Sequence, residues 1–185
     1  MSGYKSKLVS FMLVIGLLAS VSQVANTKSA DKSFGYSARY GAVTPPEVYA
    51  LLQNYETVFM YYVNTHKKST IARVRALKLA PAGKKTPDDA FQKLHGLANS
   101  LDKLMKKTNL PPVLRIKRET AKAIPAEVFL QTGHNLDALV NMMNKLEPGK
   151  SWGSYYKNIE YKHSLKPADV YALADLLTRR LELVL

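Results

Sequence analysis

The residues best suited to chemistry in this chain are few and scattered. There are four histidines, His66, His95, His134 and His163, and no cysteine. No histidine has a second His, Asp or Glu at a metal-site spacing. The lack of cysteine removes disulfides, thiolate metal ligands, a thiol nucleophile and lipid attachment through sulfur. No G-x-S-x-G elbow, phosphate loop, H-E-x-x-H or paired-carboxylate pattern occurs. Ser, His and Asp are present, but without geometry that combination carries no weight. The expectation is a protein that is not an enzyme and has neither cofactor nor resident metal. One weaker alternative stays open. His95 and His134 occupy nearly equivalent helical positions and could meet Met105, Met142 or Met143 in a soft metal site. The ordinary alternative is that they are surface or satisfied core histidines.

A second feature is a polar run, Gln131, Thr132, His134 and Asn135, where the apolar stripe of a helix should continue. A break in such a pattern is where function can sit. With His95 these residues are candidates for a small polar pocket. The alternative is that the stripe merely shifts to Leu136. Gly96 and Gly133 lie mid-helix at a propensity cost of about 1 kcal/mol each, which suggests either close helix approach or room for a ligand.

The charge distribution is the third feature. The net charge is +13 and the pI is about 9.8, which favours anionic partners. The predicted helices (45–63, 87–105, 125–144, 167–185) hold ten acidic and four basic residues, a net of −6. The linkers between them (64–85, 106–124, 145–166) hold 18 basic and three acidic residues, a net of +15. Either the basic linkers wrap acidic helix faces, or they present a surface to an anionic partner. Since −6 cannot balance +15, a cationic surface remains in both cases. The candidate contacts are Lys67, Lys68, Arg73 and Arg75 in the first linker, and Arg115, Lys117 and Arg118 in the second. The third linker adds Trp152, Tyr155, Tyr156 and Lys157 and extends to Tyr161. Basic residues interleaved with aromatics suit single-stranded nucleic acid, glycans or lipid headgroups. The competing reading is that these rings pack the linker onto the helices.

The elements that must position these residues come from an internal repeat. Four segments share proline, any residue, an acidic residue, Val or Ala, then Phe or Tyr. They begin at Pro45, Pro87, Pro125 and Pro167, at intervals of 42, 38 and 42 residues. The pattern is a helix start. Proline suits the first position because its missing N–H has no partner to lose. The acidic residue two places on can reach back to the cap backbone and complements the helix dipole. Thr44 and Thr86 are good N-caps, and Ile124 and Lys166 poorer ones. Apolar residues follow near offsets 3, 4, 7, 10 or 11, 14 and 17, which is a one-sided stripe that must be buried. Each helix covers about 30 Å. The expected fold is all-α, a four-helix bundle from four repeated proline-capped helices joined by long basic linkers. The linkers are long enough for parallel or antiparallel order, with a slight lean to antiparallel neighbours. Some of their residues, around Ile71 to Leu79, are expected to form short extra turns.

The N-terminus reads as an export signal. Lys5 and Lys7 precede an apolar run from Leu8 to Leu18, and small residues follow. Residues 1–22 are assigned as a signal peptide, with cleavage as late as 25. Residues 23–43 are expected to be flexible, and 44–185 form the helical domain. An uncleaved anchor is the alternative, since Leu8 to Ala25 is marginal in length for a membrane span. The functional expectation is an exported helical-bundle module that binds a protein or small ligand, with an anionic polymer or membrane surface as the alternative partner.

Overall fold

Each proline-led segment begins a helix at its proline. The computed structural model describes residues 43–157 and 164–185. The export-signal pattern, the segment expected to be flexible up to residue 42, and Tyr161 and His163 lie outside the described residues. Five α-helices and no strand occur among the described residues: α1 (Pro45–His66), α2 (Ile71–Ala76), α3 (Pro87–Lys107), α4 (Pro125–Leu146) and α5 (Pro167–Glu182). Short 3₁₀ turns cover Lys68–Thr70 and Gly153–Tyr155. The N-caps are Thr44, Thr86, Ile124 and Lys166. In all four, the acidic residue accepts a hydrogen bond from the cap backbone N–H. Thr44 donates to Glu47 and Thr86 to Asp89, both at 2.8 Å. Ile124 donates to Glu127 at 3.0 Å and Lys166 to Asp169 at 2.7 Å. Only Thr86 completes the reciprocal bond, its hydroxyl accepting from the Asp89 N–H. Ile124 and Lys166 have no side-chain acceptor to offer.

The long helices pack in a closed order. α1 lies against α4 and α5, and α3 lies against the same two. All four run in the same direction. Pro45, Pro87, Pro125 and Pro167 surround one apolar dimple of about 30 Å³, together with Val48, Ala90, Val128 and Val170. Cross-links then stay in register down the α3–α5 groove: Lys93 to Asp175 at 2.8 Å, Ser100 to Glu182 at 3.5 Å, and Lys107 to the Leu185 carbonyl. The lean toward antiparallel neighbours is therefore overturned. Aligned helix dipoles repel side by side, but this chain places Glu47, Asp88, Asp89, Glu127 and Asp169 in the first turns and Lys106, Lys107, Lys145, Arg179 and Arg180 in the last ones. Those charges offset the dipoles at both ends.

Parallel order requires the chain to travel back about 30 Å between helices. Segments 67–86 and 108–124, and the described part of the third linker, 147–157, lie along the helices as straps, held by helix side chains that bond to strap backbone. The buried interior is mostly apolar, with Leu52, Tyr55, Phe59, Leu94, Leu97, Leu101, Leu139, Met142, Leu177 and Leu181 at 0% exposure. Offset 3 of each helix faces the common axis. Offset 4 is rotated about 100° from it and differs among copies: Phe91 is buried, whereas Tyr49, Phe129 and Tyr171 are half-buried. Gly96 and Gly133 do not mark close helix approach. A Cβ at Gly96 would meet nothing within 4 Å, and one at Gly133 only Leu51 at 3.9 Å.

Candidate functional site

Within the polar run of α4, Gln131 and Asn135 form a clamp between elements. Gln131, Thr132 and Asn135 are fully buried, and each finds partners. The Gln131 carbonyl oxygen accepts from the Ile116 N–H at 2.9 Å, and its amide donates to the Leu114 carbonyl at 3.1 Å. The same amide donates to Asn135 Oδ1 at 3.1 Å, and Asn135 donates to the Leu94 carbonyl at 3.1 Å. Thr132 bonds back to the Val128 carbonyl at 2.8 Å. The run thus joins α4 to α3 and to the second strap. The polar residues are there because an extended strap carries backbone groups that must be paired once buried. His134 has different surroundings. It lines a groove of about 260 Å³ beneath Pro111, Pro112 and Leu114, and its Nδ1 is buried with no hydrogen-bond partner among the described residues. The His95 ring lies against Phe91 at a tilt of 51°, with centroids 4.5 Å apart. Burial, then the nearby Arg115 and Arg118 charges, hold its pKa below the ordinary histidine value. Among the described residues, no three His, Cys, Asp or Glu side chains come together as a metal site would require.

The eleven candidate contacts for an anionic partner divide into groups. In the second strap, Arg115 pairs with Asp102 at 2.6 Å and Arg118 with Asp88 at 2.8 Å. Lys117 between them is exposed. In the first strap, Lys68, Arg73 and Arg75 are exposed and Lys67 is half-exposed. Arg75 bonds the Asn64 side chain at 3.2 Å, and no acidic residue occurs between 64 and 85. In the third strap, Trp152 is only 4% exposed, so of the two readings of this ring, packing onto the helices holds and placement on a binding surface does not. Its ring packs against Tyr61, leaving Tyr156 and Lys157 as the outward residues. The Lys157 backbone exchanges two bonds with the Asn54 side chain, at 2.9 and 3.3 Å.

Sequence reasoning sets Lys150 among the interleaved rings of the third linker but misses the group it forms with Tyr61 and Glu147. Tyr61, Trp152 and Tyr155 stand with ring centroids 5.2 to 5.4 Å apart. The Lys150 ammonium lies 3.5 Å from the Tyr61 centroid, 5.0 Å from that of Trp152 and 5.5 Å from that of Tyr155. Glu147 closes the group, accepting from Lys150 at 3.2 Å and from the Tyr61 hydroxyl at 2.8 Å, with His66 Nε2 at 2.9 Å. Desolvation opposes the Lys150 charge, but hydrogen bonding with Tyr61, Glu147 and Tyr155 outweighs it and raises the lysine's pKa. The one usable signal was Glu147 and Lys150, three apart across Pro148-Gly149 and beside Trp152. Tyr61 could not be recognised as a partner, since it lies in the α1 pattern with core aromatics. A groove of about 550 Å³ runs along the outer face of α1 and shares Tyr61 and Tyr155 with this group.

No protein-family model, no curated protein and no solved structure matches this chain. Among the described residues no helix is long and apolar enough to cross a membrane.

Proposed function

We propose that this is an exported, non-enzymatic binding module in which four repeated helices form a four-helix bundle scaffold and the first strap engages an extended polyanion. The observation that carries this reading is the uncompensated charge of that strap. Lys68, Arg73, Arg75, Lys78 and Lys84 are exposed on one continuous segment, and none forms an ion pair among the described residues. Such an array gains affinity for a polyanion by releasing its condensed counterions. Export rests on the residue order of the first 25 positions.

The test is retention on an immobilised polyanion, such as heparin, across a salt series. Binding should weaken steeply and log-linearly with salt. Reversing Lys68, Arg73 and Lys78 to Glu should flatten that slope, while a matched triple reversal elsewhere on the surface should not. Salt-insensitive binding would sink the reading. A small-ligand role has one specific point in its favour, the unpartnered buried Nδ1 of His134 in the groove beneath Pro111 and Pro112.

A further inference from the structure

The Lys150 group is built differently from the other strap fastenings. Elsewhere the straps are held by bonds to their backbone, from Gln131 at Leu114 and Ile116, from Asn54 at Lys157, and from Arg179 and Arg180 at Lys78 and Leu77, and by the ion pairs of Arg115 and Arg118 with helix carboxylates. At Lys150 a side-chain cation enters three aromatic walls. The third strap does not depend on this for attachment, because the Asn54 pair already anchors it at Lys157.

The chemistry of the enclosure is that of ammonium recognition. Aromatic faces within about 6 Å attract a cation through the ring quadrupole, and the attraction grows when the site is desolvated. All three rings meet that distance to Lys150 Nζ, and a carboxylate, Glu147, stands beside it. A primary ammonium is a poor occupant for such walls. It is compact and strongly hydrated, and it must keep hydrogen bonds. An alkylated ammonium has no such demand and spreads its charge over methyl groups that fill the ring faces. Two further features point the same way. The α1 groove reaches two of the three rings from solvent. The Trp152 indole N–H is buried with no acceptor among the described residues, on a residue 4% exposed.

We infer that Tyr61, Trp152, Tyr155 and Glu147 form a binding site for a quaternary ammonium group, and that Lys150 is a tethered occupant that closes it. Lys150 follows Gly149, whose φ is +82°, and Pro148, Gly149 and Ser151 are exposed, so the lysine can swing out without unpacking a helix. A tethered occupant competes at an effective concentration in the millimolar range. It therefore weakens the apparent affinity of a free ligand, and its removal restores that affinity.

Trp152 is the chain's one tryptophan among 11 tyrosines, so fluorescence excited selectively at tryptophan reports on this site alone. The experiment titrates the full chain with choline, with sodium chloride at matched ionic strength as the blank, and separately with phosphatidylcholine vesicles. Wild type should show weak saturation. Lys150→Ala should saturate with a Kd at least about tenfold lower, since the tethered competitor is gone. Adding Tyr61→Leu should abolish the response. Saturation by choline alone assigns the free cation as the ligand source, and a response to vesicles as well assigns the lipid headgroup. Lys150→Gln serves as a second variant if Lys150→Ala fails a circular-dichroism check of folding. A folded Lys150→Ala or Lys150→Gln chain that gives no saturable change up to about 100 mM choline, a Kd equivalent to barely 1.4 kcal/mol, overturns the inference. So does an unchanged Kd on adding Tyr61→Leu.

Discussion

The first and second straps run over the same kind of helical surface but are fastened with opposite polarity. The second strap turns mainly backbone N–H groups inward, the Leu114 carbonyl on Gln131 being the exception. Val113 donates to Asp102 at 2.7 Å, Ile116 to Gln131 at 2.9 Å, Glu119 to Glu127 at 2.6 Å and Ala123 to Asp88 at 3.0 Å. The first strap turns carbonyls inward: Leu77 accepts from Arg180 at 3.2 Å and Lys78 from Arg179 at 3.0 Å. The consequence for charge is direct. Acidic side chains placed to receive N–H groups are also there to neutralise strap cations, so Asp102 takes Arg115 and Asp88 takes Arg118. Arginines placed to meet carbonyls use their own charge on Asp175 and Glu56 and leave the lysines and arginines of the first strap uncompensated. One basic segment is thereby structural and the other available.

The comparison can be broken most easily at Gln131. Gln131→Leu leaves Ile116 N–H, the Leu114 carbonyl and Asn135 without their buried partner, and should cost roughly 3 kcal/mol in urea unfolding. The triple substitution of Lys68, Arg73 and Lys78 by Ala should stay within about 0.5 kcal/mol of wild type, as exposed substitutions do. Similar costs for the two variants would erase the distinction between the straps. A smaller effect is expected at Arg180, which is 9% exposed and bridges Glu56 and the Leu77 carbonyl. Arg180→Met should cost about 2 kcal/mol. It should also raise tryptic cleavage after Arg73, Arg75 and Lys78 without changing cleavage after Arg115 or Lys117. Uniformly raised cleavage would mean that the two straps open together.

The smallest effect is a pH dependence confined to the second strap. Burial, with Arg115 and Arg118 close by, holds the His95 pKa below the unfolded value of 6.5. Above pH 6.5 the imidazole is neutral in both states and its contribution is fully present. Below that, the unfolded chain takes up a proton that the folded one resists, so stability falls as pH drops toward the folded pKa. Thermal melts of His95→Gln should show a shallower decline between pH 7 and about 5 than wild type. An identical decline would remove His95 from the strap's electrostatics.

The helix starts were legible in the sequence because capping is local chemistry. Proline, the acidic residue two places on and the cap lie within four positions, and all four starts fall at the prolines. The interior stripe was legible for the same reason, with helical spacing placing Leu52, Leu94, Leu139 and Leu177 inside. Direction was not legible, since straps of this length allow either order. The role of Gln131 was hidden because its partners are the backbone of Leu114 and Ile116, and any residue type presents the same N–H and C=O. For Trp152 the packing reading of the third linker holds and the binding-surface reading does not, and the sequence left both open because a basic-aromatic stretch reads alike whether its rings face solvent or Tyr61. The offset-4 aromatics were overrated as core at Tyr49, Phe129 and Tyr171, where the register is right but less structure covers the side chain.

The shared direction of the helices also decides how the molecule meets force. Val43 enters at the end marked by the four prolines, and Leu185 leaves at the other, beside the last turn of α3. Tension applied between these points draws α1 one way and the adjacent α5 the other, along their length. The contacts between them, including the Arg180–Glu56 pair, are then loaded together in shear. An up-and-down arrangement would bring both attachment points to one end and let the outer helices peel away contact by contact.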